Sequence, residues 1–285
     1  MTGRFAPSPT GPLHLGSLLA ATASYLDAHA NEQPWLLRID DLDIHRNVPG
    51  AAEAIKAALD AHALHWDGAP ILQSTRLAGY EQALETLARL DLVFYCRCSR
   101  RQLKDHPVYP GTCRARTTPV ADAAVRILVE DAMIEFTDLI QGPQRESLAA
   151  SHGDFIIRRR DGLIAYQLAT AVDDGAADID SVVRGADLLD NTPRQIYLMR
   201  RLGLTEPNYA HIPMLIHPDG SKLSKQTFAE PVSVNTAADN LLRTFAWLGL
   251  NPPPAARGWS CSQLLKWGVS NWRLAQVPRH ASVTI

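Results

Sequence analysis

Near its N-terminus the chain carries a run that combines turn formers with polar side chains, Arg4-Phe-Ala-Pro-Ser-Pro-Thr-Gly-Pro-Leu-His14-Leu-Gly16-Ser17. It starts as a short apolar strand, breaks in a proline- and glycine-rich turn, and continues into an apolar helix predicted over residues 18–30. This order forms a phosphate cradle, because the first N–H groups of a helix have no partner within it and Gly16 allows close approach. A purely structural turn gives the same pattern. The polar Arg4, Ser8 and His14 therefore carry the functional interpretation.

Strand and helix patterns alternate over the first third of the chain, which predicts an α/β fold with a Rossmann-like, doubly wound parallel sheet. Residues 34–39 form a second buried strand, and acidic residues follow it at the end where such sheets bind ligands. Short β-like runs then replace the alternation, which predicts an inserted subdomain. We divide the chain into a catalytic domain in two halves (1–95 and 152–230), an insertion (96–151) and a short helical C-terminal extension (231–285).

Capping-box sequences mark three later helices. They are Thr192-Pro-Arg-Gln195 before a helix ending at Gly203, Thr236 with Asp239 before one ending at Gly249, and Ser260 with Gln263 before one ending at Gly268. Between the first two helices, residues 211–217 are predicted to form one strand.

The composition excludes several classes of protein. The 285 residues are 46% hydrophobic and 20% charged, as in ordinary globular proteins, and a net charge of −2 excludes a generally basic nucleic-acid-binding surface. Any RNA contact must be a local basic patch, for which the candidates are Arg97/Arg100/Arg101/Lys104, Arg114/Arg116 and Arg158-Arg159-Arg160. No apolar stretch reaches about 18 residues, and no signal-peptide pattern is present. We expect a cytoplasmic monomer without a membrane segment.

Three of the four cysteines are clustered, at Cys96, Cys98 and Cys113. In a chain of cytosolic character this spacing favours a metal site over a disulfide, with free buried cysteines as the alternative. A structural zinc ion takes four ligands, so one more is needed, and imidazole makes His106 the candidate on chemical grounds. Cys261 is isolated and is expected to act as a small apolar residue.

Two motifs carry a resemblance to a known family. Ala6-Pro-Ser-Pro-Thr-Gly11 with His14-Leu-Gly16 resembles the first signature of glutamyl-type class I aminoacyl-tRNA synthetases, usually His-Ile-Gly-His, with Ser17 in place of the second histidine. Lys222-Leu-Ser-Lys225-Gln226 resembles their second signature, Lys-Met-Ser-Lys-Ser. A Lys-x-x-Lys loop alone is usually solvated charge, but both signatures in the right order are specific. Glutaminyl members have an acidic residue at the position of Ser8, so the match favours glutamate.

The resemblance implies ATP-dependent activation of L-glutamate to glutamyl-adenylate, without tRNA. His14, Lys222 and Lys225 would be catalytic, since they stabilise charge on the α-phosphate and on the departing pyrophosphate, together with Mg²⁺ that accompanies ATP. The ATP-binding positions that it implies are Pro7, His14, Gly16, Ser17 and Lys225.

The glutamate pocket that the resemblance implies consists of Arg4, Ser8, Asp40, Tyr166 and Arg184. Guanidinium groups bind carboxylates bidentately, and either arginine could take either carboxylate of glutamate. Asp40 stands where the family has a glutamate for the α-ammonium group, and its shorter side chain requires a closer backbone or a bridging water. An ion pair that supports the sheet is the alternative for each residue.

Short members of the family carry Cys-x-Cys…Tyr-x-Gly-x-Cys, which implies one structural Zn²⁺ held by Cys96, Cys98, Tyr109 and Cys113, with His106 as the alternative fourth ligand.

The resemblance also bears on the RNA substrate. Full-length glutamyl members continue into a large helical domain that reads the anticodon, and no such domain is expected here. The chain resembles truncated members, which attach glutamate to the cyclopentenediol of queuosine in the anticodon loop of tRNA(Asp). The alternatives are a glutamyl-tRNA synthetase that charges a tRNA 3′ end and a non-catalytic RNA-binding paralogue.

Overall fold

The computed structural model describes residues 2–220 and 230–285. Its strands are β1 (Thr2–Phe5), β2 (Trp35–Ile39), β3 (Ile71–Leu72), β4 (Val93–Cys96), β5 (Ala124–Ile127), β6 (Met133–Asp138), β7 (Gly142–Ser147), β8 (Ile156–Arg158), β9 (Ile179–Gly185), β10 (Asn208–Ile212), β11 (Met214–Ile216) and β12 (Ser282–Thr284). Its α-helices are α1 (Leu15–Ala30), α2 (Ala51–Ala61), α3 (Leu77–Arg89), α4 (Leu148–Ser151), α5 (Tyr166–Ala176), α6 (Thr192–Leu202), α7 (Ala237–Trp247) and α8 (Cys261–Asn271). Among the described residues, no helix is long and apolar enough to cross a membrane.

The central sheet has five strands in the order β10-β9-β1-β2-β3, all parallel, which confirms the predicted parallel α/β sheet. Adjacent strand residues point to opposite faces, so Val182 belongs to one hydrophobic core and Val183 to the other. One core contains α1 and α2, whereas the other contains α3, α5 and α6. Helices therefore cover both faces of the sheet.

The strand order reverses between β1 and β9. Strands β2 and β3 extend the sheet on one side of β1, whereas β9 and β10 extend it on the other. Helices that leave neighbouring strands in opposite directions open a crevice at their carboxyl ends, where such sheets bind ligands. The turn from β1 into α1 lies at this crevice.

Antiparallel strands occupy the middle of the chain. Strands β4, β5 and β8 form one sheet, and β6 and β7 form a hairpin. These strands extend to both sides of the predicted 96–151 insertion, and the division into domains stays a prediction. The hairpin tip is bound to the central sheet, because the Leu139 N–H donates to the Tyr209 carbonyl (2.8 Å) and the Gln141 side chain to the His211 carbonyl (2.8 Å).

The C-terminal helices pack on α1. Helices α7 and α8 share its hydrophobic core, with Leu241, Phe245 and Leu264 fully buried. At the far end of α1, the buried Asp27 accepts hydrogen bonds from the Ser181 hydroxyl (2.9 Å) and the Trp272 indole (3.1 Å). Residues 237–272 therefore belong to the same packed unit as the crevice helix.

The capping predictions meet different outcomes. The Ser260–Gln263 box is present, although its helix passes Gly268 and ends at Asn271. The boxes at Thr192 and Thr236 are wrong: neither helix has a side-chain cap, and the Thr192 hydroxyl instead accepts a hydrogen bond from Arg184. The predicted strand over 211–217 is two strands, β10 and β11, separated by Pro213, which has no N–H to donate.

The packing of α8 on α1 gives a test of this core. A Cβ at Gly268 would lie 2.8 Å from Phe245 Cζ and 2.9 Å from Leu26 Cδ2. Although alanine has the better helix propensity, we expect Gly268→Ala to lower the free energy of unfolding by about 1–3 kcal/mol, because the core is overpacked. Urea unfolding followed by circular dichroism measures this change.

Gly79 in α3 is the matched control, because a Cβ there would meet no atom within 4 Å. Gly79→Ala should stabilise the protein by about 0.5–1 kcal/mol through lower unfolded-state entropy. Equal effects of the two substitutions would contradict the close contact between α8 and α1.

Candidate active site

A cavity of about 440 Å³ lies at the carboxyl ends of β1, β9 and β10, next to the start of α1. It brings together eight residues singled out in the sequence: Arg4, Pro7, Ser8, His14, Gly16, Ser17, Tyr166 and Arg184. Lys222 and Lys225, with Gln226, lie outside the described residues. Among the described residues after them, Val232 donates its N–H to the carbonyl of Leu13 (2.9 Å), directly before the α1 turn.

His14 occupies the N-cap position of α1. Its Nδ1 accepts the Ser17 N–H (3.2 Å), so the ring proton belongs on Nε2, which lies 3.0 Å from the Ser17 hydroxyl. The preceding turn requires glycine, since Gly11 adopts a φ of +143°. The turn thus places the imidazole on the cavity wall, where the sequence predicts a phosphate donor, with its Nε2 facing the Ser17 hydroxyl.

Arg4 reaches the cavity from β1 and is only 4% exposed. Its Nε and Nη2 donate to the two oxygens of Asp174 (3.3 and 3.2 Å), and Arg38 donates to the same carboxylate. Burial alone would raise the pKa of Asp174, but these two arginines lower it to about 2. Arg4 therefore lines the cavity and forms an ion pair that supports the sheet, the alternative given for it from the sequence. Glutamate binding by Arg4 stays a prediction.

Helix α5 connects the cavity to this buried network. It begins at Tyr166 on the cavity wall and places Asp173 and Asp174 two turns later. Asp173 accepts hydrogen bonds from Gln73 (2.7 Å) and Tyr80 (2.8 Å). No local pattern assigns this aspartate pair a role, because its partners lie 93 to 170 positions away along the chain.

Asp40 follows β2 and is not on the wall of the main cavity. It lines an adjoining cavity of about 240 Å³ that shares Ser8, Thr10 and Tyr166 with the first. Its carboxylate accepts a hydrogen bond from Arg38 Nε (2.7 Å). Burial nevertheless raises the pKa of Asp40 to about 6. Its role toward an ammonium group stays a prediction.

Arg184 reaches the cavity from β9 and is also 4% exposed. Its Nε donates to His211 Nε2 (3.0 Å) and its Nη2 to the Thr192 hydroxyl (2.9 Å). The other nitrogen of the His211 ring lies 2.6 Å from Asp138. Sequence reasoning missed the supporting roles of His211, Thr192 and Asp138. A histidine within an apolar strand was the one available signal.

The cysteine cluster lies at the start of the antiparallel region. The sulfur atoms of Cys96, Cys98 and Cys113 lie within 4.8 Å of one another, and those of Cys98 and Cys113 are 3.6 Å apart. Two thiolates on a tetrahedral zinc ion are about 3.8 Å apart, given a Zn–S distance of about 2.3 Å, so the residues fit the ion. The Tyr109 hydroxyl lies 4.0 Å from Cys98 Sγ, whereas His106 is exposed and outside the cluster.

The chain is similar to proteins of known sequence and structure. Residues 1–251 match the family model described as tRNA synthetases class I (E and Q), catalytic domain. The chain is 48% identical over 282 residues to Glutamyl-Q tRNA(Asp) synthetase of Pseudomonas fluorescens, an alignment that covers 99% of this chain and 95% of the relative. It is 47% identical over 282 residues to the protein of the same name from Pseudomonas aeruginosa, with 99% and 96% covered.

Among solved structures, the chain is similar to glutamate-tRNA synthetase from Elizabethkingia anophelis. The TM-score is 0.82 at 24% sequence identity, and the alignment covers 100% of this chain and 68% of the other. A likeness at this identity shows the fold, which is that of a class I catalytic domain.

Metal analysis tests the cysteine cluster. We expect the purified protein to hold one equivalent of zinc, and Tyr109→Phe to lower its zinc affinity by at least about tenfold, because the phenol oxygen lies beside Cys98. Competition with a chromophoric chelator measures the affinity.

His106→Ala is the matched control and should leave zinc affinity unchanged. The opposite pattern, with sensitivity at His106 and none at Tyr109, would make the imidazole the fourth ligand. Protein isolated without metal, and unable to bind added zinc, would indicate free cysteines.

Proposed function

Because the chain belongs to the family of class I tRNA synthetases for glutamate and glutamine, we propose that it activates L-glutamate with ATP and transfers the glutamyl group to queuosine in tRNA(Asp). The chain is a ligase-type enzyme related to glutamyl-tRNA synthetases. The proposal concerns its amino acid, its intermediate and its RNA.

The observation that carries the amino-acid assignment is the pair of buried arginines on one cavity. Arg4 and Arg184 are each 4% exposed and approach from neighbouring strands. Glutamate offers two carboxylates, and the N–H groups of a charged guanidinium form strong hydrogen bonds to a carboxylate. Ser8 and Tyr166 complete the polar lining. A cavity of about 440 Å³ has room for an amino acid joined to a nucleotide.

The proposed first reaction joins glutamate to AMP. A carboxylate oxygen of glutamate attacks the α-phosphorus of ATP, the new P–O bond forms, and the bond to pyrophosphate breaks. His14 lies at the start of α1, where its Nε2–H and the helix N-terminus can stabilise negative charge on the phosphate. Mg²⁺ bound with ATP would neutralise further phosphate charge.

The second family signature, which contains Lys222 and Lys225, completes the proposed first reaction. Lys222 and Lys225 would stabilise the charge on departing pyrophosphate, as their counterparts in the family imply. Pro231 pairs with His14 and lies six residues after Lys225 in the sequence. Six residues span at most about 20 Å, so the chain length allows the lysine to reach the cavity.

The RNA assignment is supported by the names of the relatives, which are 46–48% identical over most of this chain. In the proposed second reaction, a hydroxyl of the queuosine cyclopentenediol attacks the acyl carbon of glutamyl-adenylate. An ester bond forms, AMP leaves with the bonding electrons, and the hydroxyl proton passes to solvent. Zinc bound by the cysteine cluster would have a structural role, stabilising the antiparallel region.

Glutamate transfer to defined RNAs tests the proposal. We expect radiolabelled glutamate to attach to tRNA(Asp) that contains queuosine and not to tRNA(Asp) that lacks it, because the acceptor hydroxyl belongs to the modified base. Removal of the 3′-terminal adenosine should leave this transfer intact.

Two results would contradict the RNA assignment. Transfer that needs the 3′-terminal adenosine but not queuosine would make the chain a conventional glutamyl-tRNA synthetase. Binding of RNA without any glutamate-dependent exchange between ATP and pyrophosphate would make it a non-catalytic binding protein.

Substitution of Lys225 tests the activation step separately. Lys225→Ala should lower glutamate-dependent ATP–pyrophosphate exchange by about 100-fold or more, since the transition state loses a cation beside the leaving group. The control is Lys266→Ala, which changes an exposed lysine of α8. Unchanged exchange in Lys225→Ala would remove this lysine from the mechanism.

A further inference from the structure

We propose that Asp138 and His211, which do not line the cavity, are positioning residues that hold the guanidinium of Arg184 ready for a carboxylate. The inference deepens the proposed function, on which it rests, because it takes the carboxylate to belong to glutamate. It assigns a role to a buried acid–base pair that the activation chemistry does not use.

Asp138, His211 and Arg184 form a line of hydrogen bonds, called the relay below, and the donor and acceptor in each bond can be assigned. Arg184 Nε–H can only donate, so His211 must accept at Nε2 and carry its proton on Nδ1. That proton is then donated to Asp138 Oδ2, 2.6 Å away. The other Asp138 oxygen accepts the backbone N–H groups of Ile140 (3.0 Å), Gln141 (2.8 Å) and His211 (3.1 Å). The carboxylate therefore cannot rotate without losing backbone partners.

The charges in the relay favour an anion at Arg184. Burial lowers the pKa of His211, and the charge of Arg184 lowers it further, so the ring is neutral at neutral pH. Burial alone would raise the pKa of Asp138, but the hydrogen bonds from His211 and Gln141 outweigh it and keep the carboxylate ionised. The neutral His211 ring lies between Arg184 and the negative charge of Asp138, so that carboxylate does not contact the guanidinium.

Arg184 differs in this respect from Arg4. Arg4 contacts the Asp174 carboxylate directly. Within the described part of the chain, the hydrogen-bond acceptors that contact Arg184 are neutral: His211, the Thr192 hydroxyl and the Leu188 carbonyl. Less of its charge is compensated, so Arg184 attracts a ligand carboxylate more strongly than Arg4.

One nitrogen of Arg184 is left for the ligand. Its Nη1 is buried and has no hydrogen-bond partner among the described residues. A buried donor without an acceptor is costly, and an acceptor that enters the adjacent cavity removes that cost. His211 and Thr192 occupy the Nε and Nη2 side of the guanidinium, which leaves Nη1 for the incoming carboxylate.

Asp138→Asn tests the relay with almost no change in shape. The asparagine oxygen should stay with the three backbone N–H groups, which turns its NH₂ group toward His211 Nδ1. The ring must then accept at Nδ1 and carry its proton on Nε2, facing the Nε–H of Arg184. Two donors meet, and the guanidinium loses its support.

We expect Asp138→Asn to raise the KM for glutamate in ATP–pyrophosphate exchange by about 10- to 100-fold, the effect of losing a hydrogen bond to a charged group. The KM for ATP should not change. His211→Gln should largely preserve the glutamate KM, because its amide can accept from Arg184 and donate to Asp138. ¹⁵N NMR of the histidine rings should show His211 protonated on Nδ1 in the wild type and on Nε2 in Asp138→Asn.

The matched control is Asp27→Asn, which changes another buried carboxylate that accepts two side-chain hydrogen bonds and does not line the cavity. It should lower stability without raising the glutamate KM. If Asp138→Asn does not fold, Thr192→Val removes the second acceptor of Arg184 and should also raise the glutamate KM selectively.

An unchanged glutamate KM despite the tautomer switch would overturn the relay, as would an equal rise in Asp27→Asn. If Thr192→Val is the variant that can be measured, an unchanged glutamate KM overturns it too. Failure of the proposed function is distinguishable, because wild-type protein would then show no glutamate-dependent exchange.

Discussion

Asp174 is the buried charge on which the geometry of the cavity depends. It lies on α5 and accepts hydrogen bonds from Arg4 of β1 and Arg38 of β2, so one carboxylate binds two neighbouring strands to the helix beside them. Removing one member of such a buried pair costs about 3–5 kcal/mol, because the remaining charge has no solvent to stabilise it. The same contacts set the position of Tyr166, two turns earlier on α5. Sheet stability and the shape of the cavity therefore have a common physical cause.

Much of this arrangement could be predicted from the sequence because its determinants are local. The segment from Phe5 to Leu15 contains a strand end, a glycine-bearing turn and a helix start, so the pattern alone predicts a ligand site there. Ser260 and Gln263 likewise form a cap from residues three apart. The cysteines are close in the chain and meet in space. In each case the contacts that form the feature lie within a short segment.

The rest depends on contacts between distant segments, which no local pattern specifies. Thr192 has the sequence of a capping residue, but the cation of Arg184 takes its hydroxyl. Asp40 follows the correct strand, yet Arg38 draws its carboxylate toward the buried network and away from the main cavity wall. Asp138 and His211 are 73 positions apart and meet only because the β6–β7 hairpin docks on β10.

That docking limits how the molecule can be divided into modules. The hairpin supplies Asp138, which bonds His211 and through it Arg184. Gln141 at the hairpin tip bonds the backbone carbonyl of His211 in β10. A segment of the antiparallel region thus completes the interior of the parallel domain. An exchange of this region between homologous proteins would bring a foreign carboxylate, or none, to His211. The two regions should therefore evolve together, and recombination breakpoints anywhere between Asp138 and His211 should be poorly tolerated.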